Sequence, residues 1–103
     1  MTKYNAKRTT VDGITFASQK EARRYKELKL LERAGEIGDL SLQPVFALEV
    51  NGRKCGKYLA DFSYYKGNEY IVEDCKSGPT KTPVYRLKKK LVKALYGIDI
   101  TEV

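Results

Sequence analysis

At 103 residues the chain has room for one small domain, read here as residues 1–103, and none for a second. With 20 Lys and Arg against 13 Asp and Glu its formal charge is +7, which favours a polyanionic partner, nucleic acid ahead of a membrane surface. Histidine is absent, which excludes Ser-His-Asp, Cys-His and histidine-metal chemistry, and two cysteines are too few for a disulfide scaffold or a zinc site.

Residues 1–8 carry Lys3, Lys7 and Arg8 with little apolar content and read as a basic arm or a weak edge strand. Thr9-Thr10-Val11 and Ile14-Thr15-Phe16 flank Asp12-Gly13, a two-residue turn signal, and predict a β-hairpin. Ser18-Gln19-Lys20-Glu21 has capping-box spacing and opens a helix expected over residues 18–34. Ala22, Tyr25, Leu28, Leu31 and Ala34 form its apolar stripe, and Gly35 is placed to stop it. After a loop containing Gly and Asp, the alternation of Phe46, Leu48 and Val50 with Ala47 and Glu49 predicts a strand over 44–50. Asn51-Gly52 is a second hairpin turn, and strands over 57–65 and 69–76 flank Lys66-Gly67-Asn68. These strands are expected to form an antiparallel meander. Residues 77–83 hold two prolines and a glycine and read as a loop. The stripe Val84, Leu87, Leu91, Leu95 predicts a helix over 84–96, ended by Gly97, and residues 98–103 read as a last strand. A right-handed crossover permits that strand to pair parallel to the sheet. The expected fold class is α/β of the α+β kind: a small mixed β-sheet with an antiparallel meander and flanking helices.

Between Tyr58 and Lys76 the residue types carry chemistry. Asp61 falls in one expected strand, and Asp74 and Lys76 close the next. Alternation puts Asp74 and Lys76 on one face and Glu73 with Cys75 on the other, and a hairpin brings Asp61 beside the first pair. Two carboxylates can hold a hard divalent cation, Mg²⁺ or Mn²⁺, with one ammonium next to the water to be activated. An unpaired Asp61 inside an apolar, aromatic strand would be costly to bury. The plainer alternatives are a solvated Asp61 at a sheet edge and a surface Asp74–Lys76 ion pair of little worth. Glu21 is explained by capping alone, yet its helix can also deliver it to the same cation. A β-bulge at the strand end would exchange Asp74 and Glu73.

From Ser77 through Ile98 there is no acid, while Lys81, Arg86, Lys88, Lys89, Lys90 and Lys93 lie on or beside the second helix. Such lysines repel one another, and contact with DNA phosphates would relieve the repulsion. No apolar run approaches the roughly 18 residues of a membrane span and the start does not read as a signal peptide. The expected location is therefore the cytoplasm.

With Glu21, Tyr58-Leu59-Ala60-Asp61 and Asp74-Cys75-Lys76 in order, the chain resembles the PD-(D/E)xK nuclease superfamily, and within it small phage-encoded, Holliday-junction-resolvase-like endonucleases. The segments Val11 to Tyr25, Leu42-Gln43-Pro44 and Val72 to Gly78 fit that group, so the likeness spans nearly the whole chain. Ala60 stands where the superfamily name has Pro, and Asp74 replaces the commoner Glu. The resemblance implies a restriction-endonuclease-like core and dependence on Mg²⁺ or Mn²⁺. It implies Asp61, Asp74 and Glu21 as metal ligands and Lys76 as the residue that orients water. Its expected substrate is branched or structured DNA in phage recombination, replication or packaging, in the host-cell cytoplasm. A homodimer is expected, because a four-way or duplex substrate needs two cuts. A non-catalytic nucleic-acid-binding module, or a phage structural or assembly protein in which the acids and Lys76 form only ion pairs, would account for the same residues.

Overall fold

A computed structural model describes residues 7–103, so the basic arm expected over 1–8 lies outside the described residues except for Lys7 and Arg8. The fold is mixed α+β. In chain order it runs β1 (Thr9–Val11), β2 (Ile14–Phe16), α1 (Gln19–Arg33), β3 (Gly38–Leu42), β4 (Val45–Val50), β5 (Arg53–Leu59), β6 (Phe62–Lys66) and β7 (Glu69–Asp74). A single 3₁₀ turn (Gly78–Thr80), α2 (Pro83–Tyr96) and β8 (Ile100–Glu102) complete it.

Turn chemistry sets two of the three two-residue hairpins among the described residues. Asp12 and Gly13 take φ values of 53° and 75°, and Asn51 and Gly52 take 51° and 77°, the paired left-handed conformations that a two-residue hairpin turn demands. They join β1 to β2 and β4 to β5, each antiparallel. Tyr25 Oη donates to Asp12 Oδ2 at 3.1 Å and fastens the first hairpin to α1. That helix opens where Ser18 Oγ accepts the Glu21 N–H at 3.1 Å. Its buried face is Ala22, Tyr25 and Leu28 only. The expected stripe stops there because Glu32 turns inward in the last turn and accepts the Leu40 N–H at 3.2 Å, leaving Leu31 and Ala34 exposed.

The main sheet has the order β3-β6-β7-β8. β3, β6 and β7 are antiparallel, and β8 pairs parallel to β7 through the α2 crossover, as expected. β4 and β5 form a separate ribbon. This divides the expected meander: the strand placed at 57–65 is two strands, β5 and β6, in different sheets, and β3 lies where a loop was expected. Backbone pairing explains the break. The Ala60 N–H donates to Pro44 O at 3.1 Å, the Asp61 N–H to Glu73 O at 3.1 Å, and the Gln43 N–H to Asp61 O at 2.9 Å. The chain thus leaves the ribbon and enters the sheet within two residues, and Pro44, which has no N–H, ends the β3 ladder opposite that step.

Side chains from opposite faces of β6 and β7 enter two cores. Under α2 lie Phe46, Leu48, Tyr58, Val72, Tyr85, Val92 and Ile100. Under α1 lie Phe16, Tyr25, Leu28, Phe62 and Tyr64, with Ile71 and Cys75 packed against them. α2 begins where Thr82 Oγ1 accepts the Tyr85 N–H at 3.1 Å and ends at Gly97 with φ 71°. Its core face is not the expected stripe. Val84 is 61%, Leu87 58% and Leu95 39% exposed, and only Leu91 of that set packs on the core. Aromatic burial sets the rotation instead, with Tyr85 against Tyr58 at 6.3 Å between ring centroids and Tyr96 edge-on to Phe46 at 5.5 Å. Among the described residues no helix is long and apolar enough to cross a membrane.

Candidate active site

The elements converge at the end of the sheet where the two cores meet. Asp61 sits at the step between β5 and β6 rather than within a strand, and Asp74 ends β7. Lys76 follows two residues later, and its N–H donates to Val103 O at 3.2 Å, which holds the segment beside β8. Glu21 comes from the first turn of α1. The β6–β7 register runs unbroken from Phe62↔Glu73 to Lys66↔Glu69, so no bulge rotates the side chains there. Glu73, 1% exposed, faces α1, where Arg24 Nε and Nη2 donate to its two oxygens at 2.8 and 2.6 Å and Tyr64 Oη donates as well. Asp74, 2% exposed, faces the other way and accepts from Tyr58 Oη. One acid is therefore bound up in a buried bidentate pair, and its neighbour shares a face with Lys76.

Burial dominates the electrostatics. Burial pushes the Glu21 carboxyl up to about 7, with Asp61 adding to the rise, the Ala17 amide opposing it, Asp74 raising it further and Lys76 lowering it. Asp74 is pushed up to about 6, again by burial first, with Lys76 and the Asp61 amide pulling back. Asp61 is also raised by burial, against the Cys75 amide, which donates to its Oδ2 at 2.7 Å, and against Lys76. Lys76 pulls against the rise at all three carboxyls. Its Nζ lies 4.4 Å from the centroid of the Tyr85 ring, whose Oη donates to Glu102 at 2.7 Å. Burial and the neighbouring acids push the Cys75 thiol up to about 12, so it is no thiolate nucleophile.

The donors here are hard oxygens whose charged forms burial disfavours, which a divalent cation would offset, so the residues fit Mg²⁺ or Mn²⁺ in kind. As the chain rests, no group of three or more Cys, Asp or Glu side chains among the described residues stands at ligating distance.

Glu21 lines two clefts. One, of about 490 Å³, includes Asp61, Arg8, Thr15 and Gln43. The other, of about 380 Å³, includes Lys7, Lys20, Arg23 and Thr80. A third, of about 640 Å³, lies between α2 and β8 and is lined by Lys81, Arg86, Lys89, Lys90 and Lys93. Three of the expected DNA-binding lysines have acidic partners after all: Lys81 and Lys89 reach Glu102 at 3.0 and 3.3 Å, and Lys93 reaches Asp99 at 2.8 Å. Those acids lie just beyond the acid-free run, and the parallel return of β8 brings them alongside α2. The Tyr85 and Lys81 hydrogen bonds hold the Glu102 carboxyl down at about 2. Arg86, Lys88 and Lys90 form no ion pair among the described residues. Lys20 and Arg23 flank Glu21 on α1 without a spacing that marks them, and Lys7, Arg8 and the Tyr85 ring come from other segments, so none of these was legible as a site residue.

The chain belongs to the family described as Protein of unknown function (DUF1064), which matches residues 1–101. No curated protein and no solved structure matches it.

Proposed function

We propose that this DUF1064 protein is a metal-dependent DNA endonuclease of the PD-(D/E)xK kind, acting on branched or structured DNA in phage recombination, replication or packaging. The observation that carries the reading is the joint placement of Glu21, Asp61, Asp74 and Lys76, three carboxyls with raised protonation around one ammonium. Asp61, Asp74 and Glu21 would hold Mg²⁺ or Mn²⁺, which would supply Lewis-acid polarisation of the phosphodiester. The Cys75 amide fixes the Asp61 carboxylate. Lys76, resting on the Tyr85 ring, orients the attacking water and offsets charge developing on the phosphate. As the water oxygen bonds to phosphorus its proton passes to solvent and the P–O3′ bond breaks, and the departing oxygen takes up a proton from solvent, leaving a 3′-hydroxyl and a 5′-phosphate.

Recognition would fall on the phosphate backbone more than on base edges. On α2, Arg86, Lys88 and Lys90 are available at once, while Lys81, Lys89 and Lys93 would exchange carboxylate partners for phosphates. The exposed Val84, Leu87 and Leu95 support a homodimer, which supplies the second cut. The host-cell cytoplasm, where phage DNA is processed, is the location this reading requires. A non-catalytic nucleic-acid-binding module is the second reading, favoured by the separation of the acids at rest. Calorimetric titration of Mg²⁺ and Mn²⁺ separates the two. The nuclease reading expects saturable binding that Asp61→Ala and Asp74→Asn each abolish, and absence of binding to the wild type, with and without DNA, would leave only the module.

A further inference from the structure

The cations lining the two Glu21 clefts differ from those along α2. Arg8 in one cleft, and Lys7, Lys20 and Arg23 in the other, form no ion pair among the described residues. Lys20 Nζ donates to Lys76 O at 2.9 Å, which ties this rim to the segment that carries Lys76. The two clefts share Ala17 and Glu21 and so adjoin there, with Asp61 in the first and Asp74 and Lys76 in neither.

Depth and size decide what fits. Asp61 lines the first cleft and Glu21 both, so a phosphodiester reaches these two acids by entering a cleft. Clefts of about 490 and 380 Å³ suit a ligand of small-molecule size, which for DNA is a nucleotide or two on each side. A duplex is stiff over about 150 base pairs, so leading its backbone along both clefts costs bending energy that an unpaired strand does not incur. An unpaired strand bends freely and presents phosphates singly.

Building on the endonuclease reading, we infer that the two clefts form one track for a single unpaired DNA strand, which crosses Glu21 with one phosphate at Arg8 and others at Lys7, Lys20 and Arg23. In a branched substrate that strand is the flap or splayed arm. The branch is then recognised because it offers an unpaired strand, and the shape of the junction matters less.

Anisotropy of labelled eight-nucleotide DNA, single-stranded and duplex, in Ca²⁺ over a salt series tests this, with Mg²⁺-dependent cleavage measured separately. The wild type should bind the single strand more tightly than the duplex. Arg8→Gln should weaken that binding and lower its logarithmic salt slope by about 0.7, and Lys20→Gln with Arg23→Gln by about twice as much. Arg8→Lys should restore the slope, and Lys66→Gln, at the far β6–β7 turn, should leave it unchanged. Thermal melts identify folded variants. An unchanged slope in folded cleft variants, tighter binding of duplex, or no binding by the wild type overturns the track. If the wild type cleaves but these slopes do not move, the track fails and the nuclease reading stands. If the slopes fall as expected but nothing is ever cleaved, the nuclease reading fails and the track remains a binding site.

Discussion

Glu73 and Asp74 are adjacent acids with opposite fates. Glu73 neutralises a half-buried Arg24 through two short bonds, whereas Asp74 accepts from a neutral tyrosine and has an ammonium and the acids Glu21 and Glu102 within electrostatic reach. Glu73→Gln should therefore cost about 3 kcal/mol in urea denaturation, the lower part of the range for a broken buried pair, because Arg24 keeps 24% exposure. Asp74→Asn should keep the fold and lose Mg²⁺-dependent cleavage. The opposite pattern would mean that the two acids exchange roles. The raised carboxyls also make a pH prediction. The folded chain holds its Glu21 and Asp74 protons up to about 7 and about 6, against ordinary values of 4.5 and 3.8. That stabilisation is complete below about pH 4 and is lost as pH rises through 6 and 7. The metal-free protein should accordingly be more stable at pH 5 than at pH 8 by about 1–2 kcal/mol, discounting for solvent around Glu21. Glu21→Gln should raise stability at pH 8 and flatten the profile, as should added Mg²⁺. A wild-type profile that rises from pH 5 to pH 8 would contradict the burial of these groups.

At the scale of elements, local chemistry was legible and tertiary competition was not. Asp12-Gly13, Asn51-Gly52 and Ser18 with Glu21 announce their turns and cap because the necessary conformations belong to those residues. Strand alternation likewise separated Asp74 from Glu73. The break at Ala60-Asp61 was hidden, since its cause is three amide bonds to Pro44, Gln43 and Glu73, remote in sequence. The face of α2 was misread because regularly spaced aliphatics were weighed above the larger Tyr85. Denaturation of two variants checks the corrected face. Val92→Ala, at a fully buried position, should cost about 2 kcal/mol, whereas Leu87→Ser, compared at a concentration where the chain is monomeric, should stay within about 0.5 kcal/mol. Equal and large losses would restore the aliphatic stripe to the core.

The whole molecule is a plate of 40 × 40 × 22 Å carrying a charge of +7, with the acids at one end of its sheet and an apolar strip of α2 left open. If that strip joins two copies, light scattering should give a dimer mass for the wild type and a monomer mass for Leu87→Asp. A strictly monomeric wild type, on and off DNA, would remove the dimer without touching the acids. The claim that those acids form a Mg²⁺-dependent nuclease centre is tested most directly by incubating wild type and Asp61→Ala with linear, single-stranded, flapped and four-way DNA, with and without Mg²⁺. The expected result is cleavage of flapped or four-way DNA by the wild type only when Mg²⁺ is present, and none by an Asp61→Ala protein that folds and still binds DNA. Cleavage at the wild-type rate by folded Asp61→Ala, or no cleavage of any of these substrates by the wild type in Mg²⁺ or Mn²⁺, would contradict it.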